Sequence, residues 1–165
     1  MLDNLLARGR YRRLIPQDGV DFSSNDYLGL AGSARIKRVI EDAIERGVPV
    51  GSGGSRLLRG NHAEHEALEA EAAAFFGTEA ALFFSSGFAA NGALFASLPQ
   101  RGDLVVYDEL IHASVHDGIR LGRAQSVAAA HNDANAFDDA IRDWRRNGGI
   151  GLIWIAAESL YSMDG

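Results

Sequence analysis

The second half of the sequence alternates between short apolar runs and longer segments with helical periodicity. The apolar runs cover residues 80–84, 104–107, 124–128 and 150–156, and the helical patterns between them cover residues 87–98, 112–121 and 133–146. Strands separated by helices of this length predict an α/β fold with a largely parallel sheet flanked by helices. Ligands of such sheets bind at the carboxyl ends of the strands, so we expect a functional site there.

The first half of the sequence predicts helices joined by irregular segments. We expect a helix over residues 2–14 that ends before Pro16, a short strand at 20–22, and a helix that begins after Ser33 and runs to about residue 46. The glycine-rich stretch at 51–56 does not fit regular structure, whereas residues 63–76 form a strong helical pattern that Gly77 ends.

Composition excludes several classes of protein. The 165 residues carry a net charge of −6 and no cysteine, which argues against nucleic-acid binding, a disulfide framework and a cysteine-ligated metal. No apolar run approaches the roughly 18 residues of a membrane span, and the start of the chain lacks the pattern of a signal peptide. We therefore expect a cytoplasmic protein without a membrane or nucleic-acid partner.

The segment SSGFAAN at residues 85–91 predicts a strand end, a tight turn and the start of a helix. The free N–H groups of Gly87 and Phe88 and the positive end of the helix dipole suit a phosphate group. An ordinary turn with a capping serine explains the same residues equally well. The segment matches neither the nucleotide-triphosphate loop nor the dinucleotide fingerprint.

His112 lies just past a predicted strand end, at the start of a helix. Its imidazole could stack on a ligand or exchange protons near the anion site, or it could merely cap the helix. His112 and His116 have the spacing of metal ligands, with Asp108, Glu109 and His131 as possible third ligands. None of these third ligands is specifically spaced, so we expect no metal.

Seven segments, taken together in this order, resemble the α-oxoamine synthases, which are pyridoxal-phosphate (PLP) enzymes of fold type I. They are FSSNDYLGL (22–30), GSGGSR (51–56), HEALE (65–69), SGFAAN (86–91), HAS (112–114), HND (131–133) and SMDG (162–165). The resemblance runs from about Leu14 to the last residue. It implies the N-terminal part of a fold type I PLP-dependent transferase, incomplete at its C-terminal side.

This resemblance implies a role for seven residues. Gly87 and Phe88 would hold the phosphate with backbone amides, and His112 would lie over the cofactor ring as the catalytic residue. Glu158 would support that edge of the site, and Ser162 would bond the ring hydroxyl. The substrate-binding residues would be Arg12 and Asn25.

The resemblance also implies a reaction and partners. Its motifs favour the biotin branch of the family, in which L-alanine condenses with pimeloyl-CoA or pimeloyl-carrier protein and carbon dioxide is lost. Other members use glycine or serine with other acyl donors, and a non-catalytic paralogue that pairs with a complete subunit also stays open. The full-length protein would be a homodimer.

The lysine content bears on how much of such an enzyme the sequence contains. Lys37 is the sole lysine of the sequence and lies in a predicted surface helix. In the family that the motifs resemble, the lysine that binds the cofactor aldehyde follows the segments found here. We therefore divide the chain into an N-terminal helical segment and arm, residues 1–47, and a truncated PLP-binding domain, residues 48–165. We expect this fragment alone to be inactive.

Overall fold

The computed structural model describes residues 2–9, 11, 13–16, 18–162 and 164. The chain forms two compact units, Met1–Asn61 and His62–Gly165. The boundary predicted at residue 47 lies within the first unit and stays a prediction for the division into domains.

The first unit contains helices α1 (Leu2–Ala7) and α2 (Ala34–Glu45) and a single π-helical turn (Arg56–Gly60). The predicted helix at 2–14 ends early because Gly9 adopts a left-handed conformation with φ +62°. The predicted strand at 20–22 does not form. The Asp21 carboxylate instead accepts hydrogen bonds from the N–H groups of Ser23 at 2.9 Å and Ser24 at 3.0 Å, which bends the chain.

The second unit is built around a parallel sheet of three strands, β1 (Leu104–Asp108), β2 (Gln125–Ala129) and β3 (Ile153–Ala156), in the order β2-β1-β3. The predicted parallel sheet is thus confirmed. The predicted strand at 80–84 is not formed among the described residues. There the N–H of Phe83 donates to the carboxylate of Glu69 at 2.8 Å.

The helices of this unit are α3 (Ala63–Phe76), α4 (Gly87–Ser97), α5 (Ala113–Leu121) and α6 (Ala134–Arg146). The sequence predicts α3 to the residue, because His62 caps its start and Gly77 ends it in a left-handed conformation. Ser86 and Asp133 likewise accept backbone N–H groups at the starts of α4 and α6.

The core lies on both faces of β1. On one face, Leu104 and Val106 pack with Ala129 against apolar side chains of α6, including Phe137 and Trp144. On the other face, a second buried cluster is formed by Ile111, Val115 and Ala156, with Phe95, Tyr107 and Ile119 packed around it. The two helix layers fix the strand ends, and with them the segments that follow each strand.

Helices α4 and α5 approach each other closely at Gly118. A Cβ atom at this position would lie 2.9 Å from the carbonyl oxygen of Gly92 and 3.0 Å from that of Asn91. Such distances are shorter than real Cβ contacts, so the close packing requires glycine here. The start of α5 is thereby held beside α4.

Across the described part of the chain, no helix has the length and apolar character needed to cross a membrane.

Candidate active site

A cleft of about 630 Å³ opens at the carboxyl end of the sheet, between the starts of α4 and α5 and the segment after β3. Its polar rim includes Gly87, Asn91, His112 and Glu158, and Phe88 also lines it. Three segments that are far apart in sequence therefore meet where the strand order predicts a ligand site. The fold brings together four of the residues singled out from the sequence, namely Gly87, Phe88, His112 and Glu158.

The start of α4 leaves two backbone donors available. The side chain of Ser86 accepts from the N–H of Ala89 at 3.1 Å, and the carbonyl of Ser86 accepts from the N–H of Ala90 at 3.1 Å. The N–H groups of Gly87 and Phe88 make no hydrogen bond within the described residues, and both residues are exposed. Two free donors at the positive end of a helix form a site for an anion.

His112 is fixed at its backbone and at its ring. Its N–H donates to Oε1 of Glu158 at 2.5 Å, which ties the start of α5 to the segment after β3. Its ring Nδ1 accepts from the N–H of Ser114 at 3.1 Å, and its ring stands edge-on to the ring of Phe88 at 6.4 Å. Glu158 thus positions His112 through the backbone.

Behind the cleft, the end of β1 carries a second polar cluster around the buried carboxylate of Asp108. Asp108 Oδ1 lies 2.8 Å from Nδ1 of His131, and Oδ2 accepts from the N–H of Asn132 at 3.0 Å. The other ring nitrogen of His131 lies 2.7 Å from Oδ2 of Asp164, and the ring packs edge-on against Tyr161. Sequence reasoning weighed Asp108 and His131 as possible metal ligands, whereas here they bond each other.

The cluster shifts the protonation of its members. Burial alone would raise the pKa of Asp108, but hydrogen bonds from Asn132, His131 and Leu110 outweigh it and lower the pKa to about 2. The hydrogen bond to Asp108 raises the pKa of His131 above its ordinary 6.5, against the opposing effect of burial. Burial is also the main cause that raises the pKa of Tyr161. The contact between His131 and Asp108 therefore favours the charged form of both side chains.

Within the described residues, no three histidine or acidic side chains are grouped so that they could hold a metal ion. The ring of His116 packs edge-on against Tyr107 at 5.1 Å.

The remaining site residues from the sequence lie elsewhere or outside the described residues. Ser162 is exposed in the turn after Tyr161 and does not line the cleft. Asn25 belongs to the first unit, where its Oδ1 lies 3.5 Å from the hydroxyl of Tyr27. Arg12 lies outside the described residues. The roles of all three stay predictions.

The structure also adds residues that sequence reasoning did not single out. Asn91 and Ser114 bond each other beside His112, and Tyr161 packs behind the cleft. Asn91 and Ser114 do belong to the SGFAAN and HAS motifs, and that membership was the available signal. Nothing in the sequence pattern indicated Tyr161.

Comparison with known proteins agrees with this geometry. The family model of aminotransferase class I and II matches residues 17–165. The chain therefore belongs to the aminotransferase class I and II family. Within this family, the resemblance to the α-oxoamine synthases that the motifs indicated is confirmed by individual relatives.

Two of these relatives are enzymes named 8-amino-7-oxononanoate synthase. The chain is 43% identical to the one from Emericella nidulans over 166 residues, covering 92% of this chain and 39% of the relative. It is 46% identical to the one from Geobacter sulfurreducens over 142 residues, covering 86% of this chain and 35% of the relative. The chain thus spans less than half the length of these relatives.

A solved structure gives the same assignment. The chain aligns with a variant of serine palmitoyltransferase from S. paucimobilis with bound PLP and myriocin, at a TM-score of 0.74 and 29% identity. The alignment covers 86% of this chain and 34% of that structure. The fold is therefore the N-terminal part of a fold type I PLP enzyme, as predicted.

Proposed function

We propose that this chain is the N-terminal part of an α-oxoamine synthase that binds PLP at the start of α4. The observation that carries the proposal is the pair of unbonded N–H groups on Gly87 and Phe88, set in one cleft with His112 and Glu158. Relatives named 8-amino-7-oxononanoate synthase support the finer proposal that the whole protein condenses L-alanine with a pimeloyl thioester.

The residues present fit the phosphate of the cofactor. Gly87 has no side chain, and a Cβ atom there would meet nothing within 4 Å, so an anion can approach the backbone donors freely. The nearby carboxylate of Glu158 is engaged by the N–H of His112. The rings of Phe88 and His112 offer apolar and aromatic surface for a flat heterocycle.

PLP supplies an electron sink that stabilises negative charge on the α-carbon of an amino acid. The chain's own residues would bind the cofactor and orient it. Gly87 and Phe88 hold the phosphate, His112 lies against the ring, and Glu158 holds the start of α5 in place. Phe95, Ile155 and Ala156 give the cleft an apolar floor.

The chain alone is proposed to bind the cofactor without catalysing the reaction. Lys37 lies exposed on α2 in the first unit, and none of the residues that line the cleft is a lysine. A lysine is the group that condenses with the cofactor aldehyde in enzymes of this chemistry. The homodimer and the cytoplasmic location belong to the same proposal for the whole protein.

The phosphate site is tested by a matched pair of substitutions at Gly87. Ser86 is extended with ψ 154°, the conformation that a following proline favours, and proline is well accepted as the first residue of a helix. Gly87→Pro therefore removes one N–H donor without breaking α4, whereas Gly87→Ala keeps it. We expect Gly87→Pro to weaken PLP binding to this chain about 10-fold or more, as for one lost charge-assisted hydrogen bond.

Isothermal titration of PLP and of pyridoxal, which lacks the phosphate, provides the measurement. Gly87→Ala should bind PLP within about 3-fold of the unsubstituted chain, a difference of less than 1 kcal/mol. Equal affinity for PLP and pyridoxal, or equal loss in both variants, would contradict a phosphate site at the start of α4.

The similarity to serine palmitoyltransferase supports a second candidate, in which serine and a longer acyl thioester react in the same cleft. The complete protein that contains this chain distinguishes the two by the rate of coenzyme A release. We expect release with L-alanine and pimeloyl-CoA. Faster release with L-serine and palmitoyl-CoA would assign the sister activity, and no release with any pair would indicate the non-catalytic module.

A further inference from the structure

We infer that Asn91 and Ser114 are positioning residues that hold His112 as one neutral tautomer, with its proton on Nε2. His112 then presents a hydrogen-bond donor to the cleft. This inference deepens the proposed function and rests on it for the ligand that the donor meets, but the tautomer itself follows from contacts within α4 and α5.

The direction of the hydrogen bond between the Ser114 backbone and the His112 ring decides the tautomer. The N–H of Ser114 points at Nδ1 of His112 at 3.1 Å. A backbone N–H can only donate, so Nδ1 must offer its lone pair and carries no proton. A neutral imidazole has a single N–H, which therefore lies on Nε2.

The hydroxyl of Ser114 makes a second contact with the His112 ring. Its Oγ lies 2.7 Å from the same Nδ1, and because Nδ1 carries no proton the hydroxyl is the donor, so the hydroxyl and the backbone N–H share the one lone pair of Nδ1. The lone pairs of that oxygen accept from the side-chain amide of Asn91 at 3.0 Å. The hydrogen bonds thus run in one direction, from Asn91 through Ser114 to His112.

Burial and packing keep this chain of hydrogen bonds intact. Ser114 is fully buried, so water does not compete for its hydroxyl. The close approach of α4 and α5 at Gly118 brings Asn91 on one helix within reach of Ser114 on the other. A buried hydroxyl that has both a donor and an acceptor as partners fixes one direction of hydrogen bonding.

The exposed side of the ring is left for a ligand. Nε2 of His112 makes no hydrogen bond within the described part of the chain, and His112 lines the cleft. With its proton on Nε2, the ring donates to an oxygen atom bound in the cleft and does not accept a proton from it. The sequence alone left proton exchange and stacking open, and this geometry favours a fixed donor.

Asn91→Asp tests the direction of the network. The carboxylate is nearly the same shape as the amide but can only accept, so the Ser114 hydroxyl should turn towards it. Ser114 Oγ then stops donating to Nδ1, and we expect the Nδ1 resonance of His112 to shift while the N–H of Ser114 keeps the proton on Nε2. Two-bond ¹H–¹⁵N correlation spectra of the whole chain, labelled at histidine, report the tautomer directly, and His112→Asn assigns the signal.

Asn135→Asp is the matched control, because it makes the same change at an exposed position on α6 and should leave the His112 signal unaltered. Should Asn91→Asp not fold, Ser114→Ala is the second variant. It should keep the backbone donor and the Nε2–H form but broaden the His112 signal, whereas the exposed Ser126→Ala should not.

A proton on Nδ1 of His112 in the unsubstituted chain, or an unchanged signal in both Asn91→Asp and Ser114→Ala, would overturn the inference. These spectra are recorded without any ligand. An Nε2–H tautomer in a chain that fails to bind PLP would therefore sink the proposed function and leave the positioning role standing.

Discussion

Strand β1 has a buried aspartate at each end, and the two are held in different ways. Asp103 precedes the strand, and its carboxylate accepts from the N–H of Gln100 at 2.8 Å, the N–H of Leu152 at 2.9 Å and the indole N–H of Trp154 at 3.2 Å. These hydrogen bonds, led by that from Gln100, lower the pKa of Asp103. None of its donors gains or loses a proton in the accessible pH range.

Asp108 ends the strand, and one of its partners is a titratable side chain. It accepts from backbone N–H groups, as Asp103 does, but it also bonds the ring of His131, which in turn bonds Asp164. The amino end of the sheet is therefore held by contacts of fixed charge, and the carboxyl end by contacts whose charge depends on pH. The candidate site lies at the carboxyl end of the sheet, where the charge of these contacts changes with pH.

Removing the charge of the aspartate at either end of β1 should have the largest effect on the free energy of unfolding. The effect should differ between Asp103 and Asp108. We expect Asp108→Asn to lower the free energy of unfolding by about 3 kcal/mol, because the amide turns an N–H₂ group towards a donor and takes from His131 the buried one of its two carboxylate partners. Asp103→Asn should cost less, since it leaves no charged partner behind. Urea unfolding at neutral pH measures both, and an equal or larger loss in Asp103→Asn would contradict the comparison.

The pH dependence of stability should show the same asymmetry with a smaller amplitude. Because the pKa of Asp108 falls from 3.8 to about 2, its contribution of up to about 2 kcal/mol is present above pH 4 and is lost as pH falls towards 2. Because the pKa of His131 is raised, its contribution is present below pH 6.5 and is lost as pH rises through the raised value.

Substitutions distinguish the loss of stability at low pH (the acid limb) from the loss at high pH (the alkaline limb). His131→Asn should abolish the loss of stability on the alkaline side, whereas Asp103→Asn should leave that loss in place. Unfolding curves recorded between pH 2 and pH 9 provide the test. An alkaline limb that survives in His131→Asn would mean that another group produces it.

The smallest effect is expected from the hydroxyl of Tyr161, which accepts from the N–H of Glu158 at 3.1 Å. Tyr161→Phe keeps the ring that packs on His131 and removes this acceptor together with the hydrogen bond between the hydroxyl and Asp108, so it should cost about 1 kcal/mol in urea unfolding. Both pH limbs should remain. A loss as large as that of Asp108→Asn would show that Tyr161, and not the His131 pair, holds this end of the sheet.

Local signals in the sequence predicted much of the fold. Helix α3 was predicted to the residue because its limits are set by neighbours in sequence, a capping His62 and the left-handed Gly77. Three of the four predicted strands were located by their apolar runs, although β2 is shifted to Gln125–Ala129 and β3 begins at Ile153 and not at residue 150. A Cβ at Gly151 would lie 2.1 Å from the carbonyl oxygen of Gly102, so the chain there packs against a turn before it joins the sheet.

Local sequence patterns did not predict the contacts between residues that are far apart in the sequence. The sequence motifs named His112 and Glu158 through a family resemblance, but the bond between them joins residues 46 apart and depends on where β3 lies beside β1. The pairing of Asp108 with His131 likewise depends on the register of β1 and β2. The run at 80–84 has the composition of a strand, and its failure to pair shows that composition does not supply a partner.

Because β1 lies between β2 and β3 in the sheet, its two edges can pair only one after the other as the chain is synthesised. On the ribosome, β2 can pair with β1 soon after residue 129 emerges, but the opposite edge of β1 must wait for residues 153–156. Throughout that interval an apolar strand keeps a row of unpaired backbone groups, which is the kind of surface that chaperones shield and neighbouring polysomes can capture. Slow codons between residues 130 and 150 would lengthen this exposure, so translation speed there should affect soluble yield.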